Sequence, residues 1–208
     1  MKRRLGLTAG VVLTAVLAGG FWVAAHAVDG VTLITQALVM NSGGFPYTIT
    51  QPGSYRLASN LAVSSTDGIV IAADNVMLDL NGFSIAGAPL GIRGVTDNGV
   101  SHTAIAVRDG TITSFFGSGI ALGSSSQNYV EQIRAHGNQV GILVGANSTV
   151  RNNITSANGP GPFGGGAGII AVCPTNLIGN MSHNNLPADT DIVTVGSGCT
   201  RYNNNPAP

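Results

Sequence analysis

Asp109, Glu131, Arg134 and His136 are the side chains whose types and spacing could do chemistry in this sequence. Arg134 and His136 stand two apart in an alternating run, so on a strand they share one face. A neutral imidazole beside a carboxylate can act as a general base, and a guanidinium can neutralise a carboxylate on a substrate. The plainer reading of the same four residues is a solvated surface. Asp79, next but one to Asn81, could join a calcium site with backbone oxygens or be an ordinary corner residue; no other metal or cofactor is expected. Glycoside hydrolysis usually needs two carboxyls about 5–10 Å apart, and this chain spreads eight Asp and one Glu along its length.

The elements that would position these groups are short and repeated. Gly followed by Ile and further apolar residues recurs at Gly68-Ile69, Gly91-Ile92, Gly119-Ile120, Gly141-Ile142 and Gly168-Ile169, with a variant at Asp191-Ile192. The steps are 23, 28, 22, 27 and 23 residues. Between them lies a second phrase, an apolar strand, a polar corner and another apolar strand: Asn75 to Gly82, Ile105 to Ile112, Val130 to Ile133, Val150 to Ile154 and Leu177 to Met181. Period-two alternation over such short runs signals β-structure, and abundant Gly and Asn exclude long helices. Corners this short leave no room for crossover helices. The chain must wind as a solenoid in which each strand pairs in parallel with its equivalents at about 4.8 Å per coil. The expected fold is all-β, a single-stranded right-handed parallel β-helix of about six coils. Gln132, Asn153 and Asn180 are expected to stack as an amide ladder at one corner, with Ile133, Ile154 and Met181 stacked inside after it.

The segment Phe45-Pro-Tyr-Thr-Ile-Thr-Gln-Pro-Gly-Ser-Tyr-Arg-Leu57, followed by Asn75 to Gly82, resembles exported bacterial members of the right-handed β-helix proteins of the pectin-lyase-like superfamily. The resemblance spans roughly residues 31–205. It implies the fold and leaves activity open, because that superfamily hosts lyases, hydrolases, epimerases, adhesins and inert shafts. In its enzymes the active groove runs along the strand that here begins Gly-Ile. The outward residues on that strand are then expected to be Val70, Arg93, Ala121, Leu143, Ile170 and Val193, a mostly apolar line either covered by loops or open to another chain. The acid clusters and Arg-x-Pro-x-x-Arg element of the superfamily's pectin-degrading enzymes are absent from this chain, and no Lys follows Lys2.

The ends carry their own signals. Lys2-Arg3-Arg4, an apolar stretch to Val23 and Ala25-His26-Ala27 have the form of a cleavable export signal over 1–27, which would leave no membrane span. An N-terminal cap and lead-in is expected over 28–52, the β-helix over 53–200 and a tail over 201–208. Charged residues make up only 9% of the chain. After the signal, six arginines face nine carboxylates, a net charge of −3. Nucleic-acid binding, which needs a basic stripe to meet phosphates, is not expected. In the oxidising compartment of an exported protein, Cys173 and Cys199 are expected to form one disulfide that staples the last coils. Two functions follow as expectations. One is a periplasmic, cell-surface or secreted module that binds a polysaccharide or another protein chain, or serves as a scaffold. The other is a polysaccharide lyase or epimerase on uronate polymers that uses Asp109, Arg134 and His136.

Overall fold

The computed structural model describes residues 30–159, 165–187 and 191–206. The expected signal over 1–27 lies outside them. Coil 1 holds β1 (Val31–Ile34), the short helix α1 (Gln36–Asn41) and β2 (Tyr47–Ile49). Coil 2 is β3 (Gly53–Leu57), β4 (Leu61–Thr66) and β5 (Ile69–Ile71); coil 3 is β6 (Val76–Asp79), β7 (Ser84–Gly91) and β8 (Val95–Thr96). In coil 4, β9 (Ile105–Thr113) runs through one corner and is followed by β10 (Ser118–Leu122); coil 5 repeats this with β11 (Tyr129–His136) and β12 (Val140–Val144). Coil 6 is β13 (Ser148–Arg151), β14 (Ile154–Ser156) and β15 (Ala167–Val172), and coil 7 is β16 (Thr175–Ile178), β17 (Met181–His183) and β18 (Ile192–Val195). A partial last coil adds β19 (Thr200–Tyr202) and β20 (Asn205–Pro206). Every pairing is parallel, and the product is a right-handed β-solenoid of about seven coils.

The coils have three faces. The first stacks β1, β3, β6, β9, β11, β13, β16 and β19; the second stacks β4, β7, the far halves of β9 and β11, β14, β17 and β20; the third stacks β2, β5, β8, β10, β12, β15 and β18. Inward aliphatic side chains from all three meet in one continuous core from Ile34 to Ile192. Residues with positive φ turn the corners. At the corner between the first and second faces these are Asp109 (φ 60°), Gln132 (55°), Asn152 (54°), Gly179 (61°) and Asn203 (49°).

The Gly-Ile phrase has a steric origin. A Cβ on Gly68, Gly94, Gly119, Gly141 or Gly168 would lie 2.5–2.8 Å from the carbonyl oxygen of the equivalent residue one coil on. Only a residue without a side chain fits that approach. The last contact of the series is with the Asp191 carbonyl. Among the described residues no further coil packs on Asp191, so this position accepts a side chain.

The same contact corrects the expected register of coil 3. Gly94-Val95, rather than Gly91-Ile92, is the repeat member, since Val95 pairs with both Ile69 and Ile120. Ile92 is exposed. Arg93 leaves the outward line, where Thr96 takes its place, and instead binds Asp67 through two hydrogen bonds of 2.9 and 2.8 Å. The corrected line is not an open apolar patch: Val70, Thr96 and Ala121 are buried and Leu143, Ile170 and Val193 half-buried.

A second correction concerns the amide ladder. Asn153 pairs above Ile133, not above Gln132, so the inward series is Ile133, Asn153, Asn180 and Asn204. Gln132 is exposed and aligns with Asn152 at the vertex. Ile154 and Met181, expected inside, stack on Arg134 and point out, 36% and 45% exposed. A one-residue slip in register moves a whole series to the opposite face. Asn153 Nδ2 donates to Val130 O (3.0 Å) and Asn180 Oδ1 (2.9 Å), and Asn180 Nδ2 donates to Val150 O (2.8 Å) and Asn204 Oδ1 (2.8 Å). A second ladder of the same design, Asn138, Asn158 and Asn185, fills the corner between the second and third faces.

Strand pairing extends beyond the 53–200 expected for the β-helix. β1 and β2 already belong to both sheets, and the expected tail carries β19, β20 and the last ladder amide, Asn204. Cys173 and Cys199 form the disulfide, with Cα atoms 4.9 Å apart, and join the end of β15 to the start of β19. Among the described residues no helix is long and apolar enough to cross a membrane.

Candidate functional site

Where β9 and β11 bend from the first face to the second, the outer surface forms a cleft of about 400 Å³ lined by Gly82, Asp109, Gln132, Arg134, Asn152 and Ile154, with buried Gly110 and Ile133 beneath. The vertex residues Asp109, Gln132 and Asn152 owe their outward placement to their left-handed backbone, which lets one residue turn the corner. Asn tolerates this conformation better than most side chains. Gly110 makes the floor close-packed: a Cβ there would meet Leu80 Cβ at 2.4 Å and Phe83 O at 2.6 Å.

On the first face, beside the corner that holds the cleft, runs a column of alternating charge. Arg56, Asp79, Arg108, Glu131 and Arg151 occupy equivalent positions on successive coils of the first face. Asp79 lies under two guanidinium groups, 3.4 Å from Arg56 and 3.1 Å from Arg108, and accepts the Asn81 N–H at 2.8 Å. Glu131 meets Arg151 at 3.1 Å. Opposite charges placed directly across from one another stabilise neighbouring strands. Asp79, weighed from the sequence for a calcium site, is held in this column by two arginines.

The four residues picked from the sequence therefore separate. Asp109 and Arg134 share the cleft, with Asp109 also 3.4 Å from Arg108. Glu131 belongs to the charge column, and Tyr129 leans on it; burial, followed by a hydrogen bond to this carboxylate, pushes the Tyr129 phenol up. His136 does share the outward face with Arg134, across buried Ala135, but its Nδ1 sits 3.1 Å from Thr113 Oγ1 and lies outside the cleft lining. Two carboxyls and an imidazole do not converge.

What distinguishes Arg134 is its lack of a partner. Arg56, Arg108 and Arg151 are held in the charge column, Arg93 by Asp67, and Arg201 by Ile192 O and Thr194 Oγ1. Among the described residues Arg134 is the one arginine whose side chain meets no acceptor. On the coils above it the outer surface exposes apolar side chains, Ile154 and Met181 on the second face and Ile178 and Tyr202 on the first. The sequence carried no sign of this, because an unpaired arginine is defined by its neighbours in space. Comparison of the chain with protein-family models, curated proteins and solved structures returned no match in any of the three.

Proposed function

We propose that this protein is an exported β-solenoid, related in architecture to the pectin-lyase-like superfamily, that binds an acidic glycan along the groove between its first and second faces without altering it. The observation that carries this reading is Arg134, an uncommitted guanidinium in a cleft open to solvent that Gln132, Asn152 and Asp109 also line. A guanidinium suits a sugar carboxylate, side-chain amides suit hydroxyls, and Ile154 suits the apolar face of a pyranose ring. Export is supported by the amino-terminal pattern and by the disulfide, which persists in oxidising compartments. The test is calorimetric titration of uronate-containing and neutral oligosaccharides. Binding is expected for the acidic series alone, with Arg134→Ala weakening it at least tenfold and leaving the melting temperature unchanged. Equal affinity for neutral sugars, or a variant that binds as well as the parent, would refute it.

Asp109 supports a second reading. A carboxylate in the same cleft as a carboxylate-binding arginine could take the proton next to a uronate carboxyl, as a lyase or epimerase requires. New ultraviolet absorbance from unsaturated ends, abolished by Asp109→Ala, would favour a lyase over a binding module.

A further inference from the structure

The chain contains three Asn-Gly dipeptides, Asn81-Gly82, Asn98-Gly99 and Asn158-Gly159. Such a pair carries its own reagents. The glycine nitrogen, unhindered by a side chain, can close a five-membered ring on the asparagine Cγ and expel ammonia. Asn158 is withdrawn from this chemistry by the second ladder. It is fully buried, its Nδ2 donates to Ala135 O and Asn185 Oδ1 at 2.9 Å each, and Gly159 N–H donates to Asn138 O.

The other two form a matched pair. Both are exposed, and φ is 51° and 77° at Asn81 and Gly82 against 52° and 75° at Asn98 and Gly99. Each turn is closed by one backbone hydrogen bond, Phe83 N–H to Leu80 O at 2.8 Å and Val100 N–H to Asp97 O at 3.0 Å. Positive φ at both central residues is the tight turn that Asn-Gly favours. Backbone and exposure therefore do not distinguish them, but their polar surroundings do. In the first turn, Gly82 N–H donates at 2.7 Å to the backbone carbonyl of Asp109 on the next coil, and Asn81 Nδ2 donates to Leu57 O at 3.3 Å. The Gly82 nitrogen is tied to an oxygen that takes up no proton.

In the second turn, Gly99 N–H donates at 3.0 Å to Asp97 Oδ1, a carboxylate oxygen. Asp97 is 3% exposed and held from behind, its Oδ2 accepting Ser124 N–H at 3.0 Å and Ser125 N–H and Oγ at 2.9 Å. On the other reactant, Arg93 Nη2 donates to Asn98 Oδ1 at 3.0 Å, while the same guanidinium is anchored on Asp67. One group stands ready to take the proton of the nucleophile. The other polarises the carbonyl under attack and meets the charge that grows on its oxygen.

We propose that Asn98-Gly99 is a self-modifying site, where the folded protein converts its own asparagine to aspartate and isoaspartate. The Gly99 nitrogen bonds to Asn98 Cγ and its proton passes to Asp97. The Cγ–Nδ2 bond breaks, and the proton leaves with that nitrogen as ammonia. Water then opens the cyclic imide at either carbonyl, which restores one amide and leaves one carboxylate. The new negative charge stands beside Arg93, which then serves it as well as Asp67.

Peptide mapping by mass spectrometry tests this, on the native protein held at neutral pH and on the guanidinium-unfolded chain alongside. A well-placed base contributes about 100-fold or more, so Asn98 converts at least about tenfold faster than Asn81 in the folded protein. Once the chain is unfolded the two convert at similar rates. Arg93→Gln, with native circular dichroism, slows Asn98 several-fold and leaves Asn81 unchanged. Folded Asn98 that converts no faster than Asn81, or a preference for Asn98 that persists in the unfolded chain, overturns the proposal. A folded Arg93→Gln variant at the parental rate overturns the part assigned to Arg93. If that variant fails to fold, the two dipeptides of the parent decide on their own.

Discussion

In coils 3 and 4 the inward corner positions hold Val76, Ile105, Gly110 and Phe115. In coils 6 and 7 the same columns hold Ser148, Thr175, Asn153, Asn180, Asn158 and Asn185, every one of them buried. Coil 5 is the border, with Asn128 and Asn138 already polar and Ile133 still apolar. The outside changes in the opposite sense, from the charge column of Arg56 to Arg151 to the exposed apolar side chains Ile154, Ile178, Met181 and Tyr202. The difference concerns how register is held. An apolar corner gains by excluding water and tolerates small shifts. A buried amide must find its partners in the coils above and below, so a slipped coil would strand several polar groups together. The lower coils are aligned by packing and by surface ion pairs, the upper coils by hydrogen bonds that only one register satisfies.

The largest effect expected from breaking this contrast is at Asn180. Truncation to Ala removes donors to Val150 O and Asn204 Oδ1 and the acceptor for Asn153 N–H and Nδ2. At about 1–1.5 kcal/mol for each of the four bonds lost, the cost is about 4–6 kcal/mol in urea unfolding. A loss below about 1 kcal/mol would mean that the ladder is incidental to the upper coils. Next is the double change Cys173→Ser and Cys199→Ser, expected to cost about 3–4 kcal/mol on the chain-entropy account. Here hydrogen exchange should rise from Thr175 onward and stay unchanged in coils 2 to 4; a uniform rise would erase the boundary between the two halves.

The smallest effect is at the amino-terminal end. Burial pushes the phenols of Tyr47 and Tyr55 up, and at Tyr47 the neighbouring Tyr55 adds to it. A group whose folded-state value lies above its unfolded value near 10.0 contributes stability that is complete below that pH and is lost as pH rises through the folded value. Unfolding followed between about pH 9 and 11.5 should show the parent weakening while Tyr47→Phe weakens less. Identical profiles would remove ionisation of Tyr47 from the account.

The sequence disclosed the solenoid because its recurring phrase reflects a hard contact, glycine against the next coil's carbonyl. It misled in coil 3 because Gly91-Ile92 and Gly94-Val95 are three residues apart and equally plausible as text; only the close approach to Gly119 O selects the second. The ladders were half legible. Each ladder Asn directly follows a left-handed residue: Asn152-Asn153, Gly179-Asn180 and Asn203-Asn204 at one corner, Gly137-Asn138, Ala157-Asn158 and Asn184-Asn185 at the next. Reading those dipeptides as corner plus inward residue would have set the register and revealed the second ladder. Of the candidate site, Asp109 and Arg134 were named and line the same cleft. Glu131 and His136 were drawn away by Arg151 and Thr113, partners 20 and 23 residues distant that no local pattern ties to them.

The glycine column also sets a rule for how such a chain can lengthen. The path from Gly68 to Gly94 takes 26 residues and that from Gly119 to Gly141 takes 22, yet both arrive at the same carbonyl contact. Additional residues are absorbed as excursions on the outside, while the column admits not even a methyl group. It behaves as a fixed seam, and the natural unit for duplicating, deleting or exchanging a coil is the stretch from one seam glycine to the next.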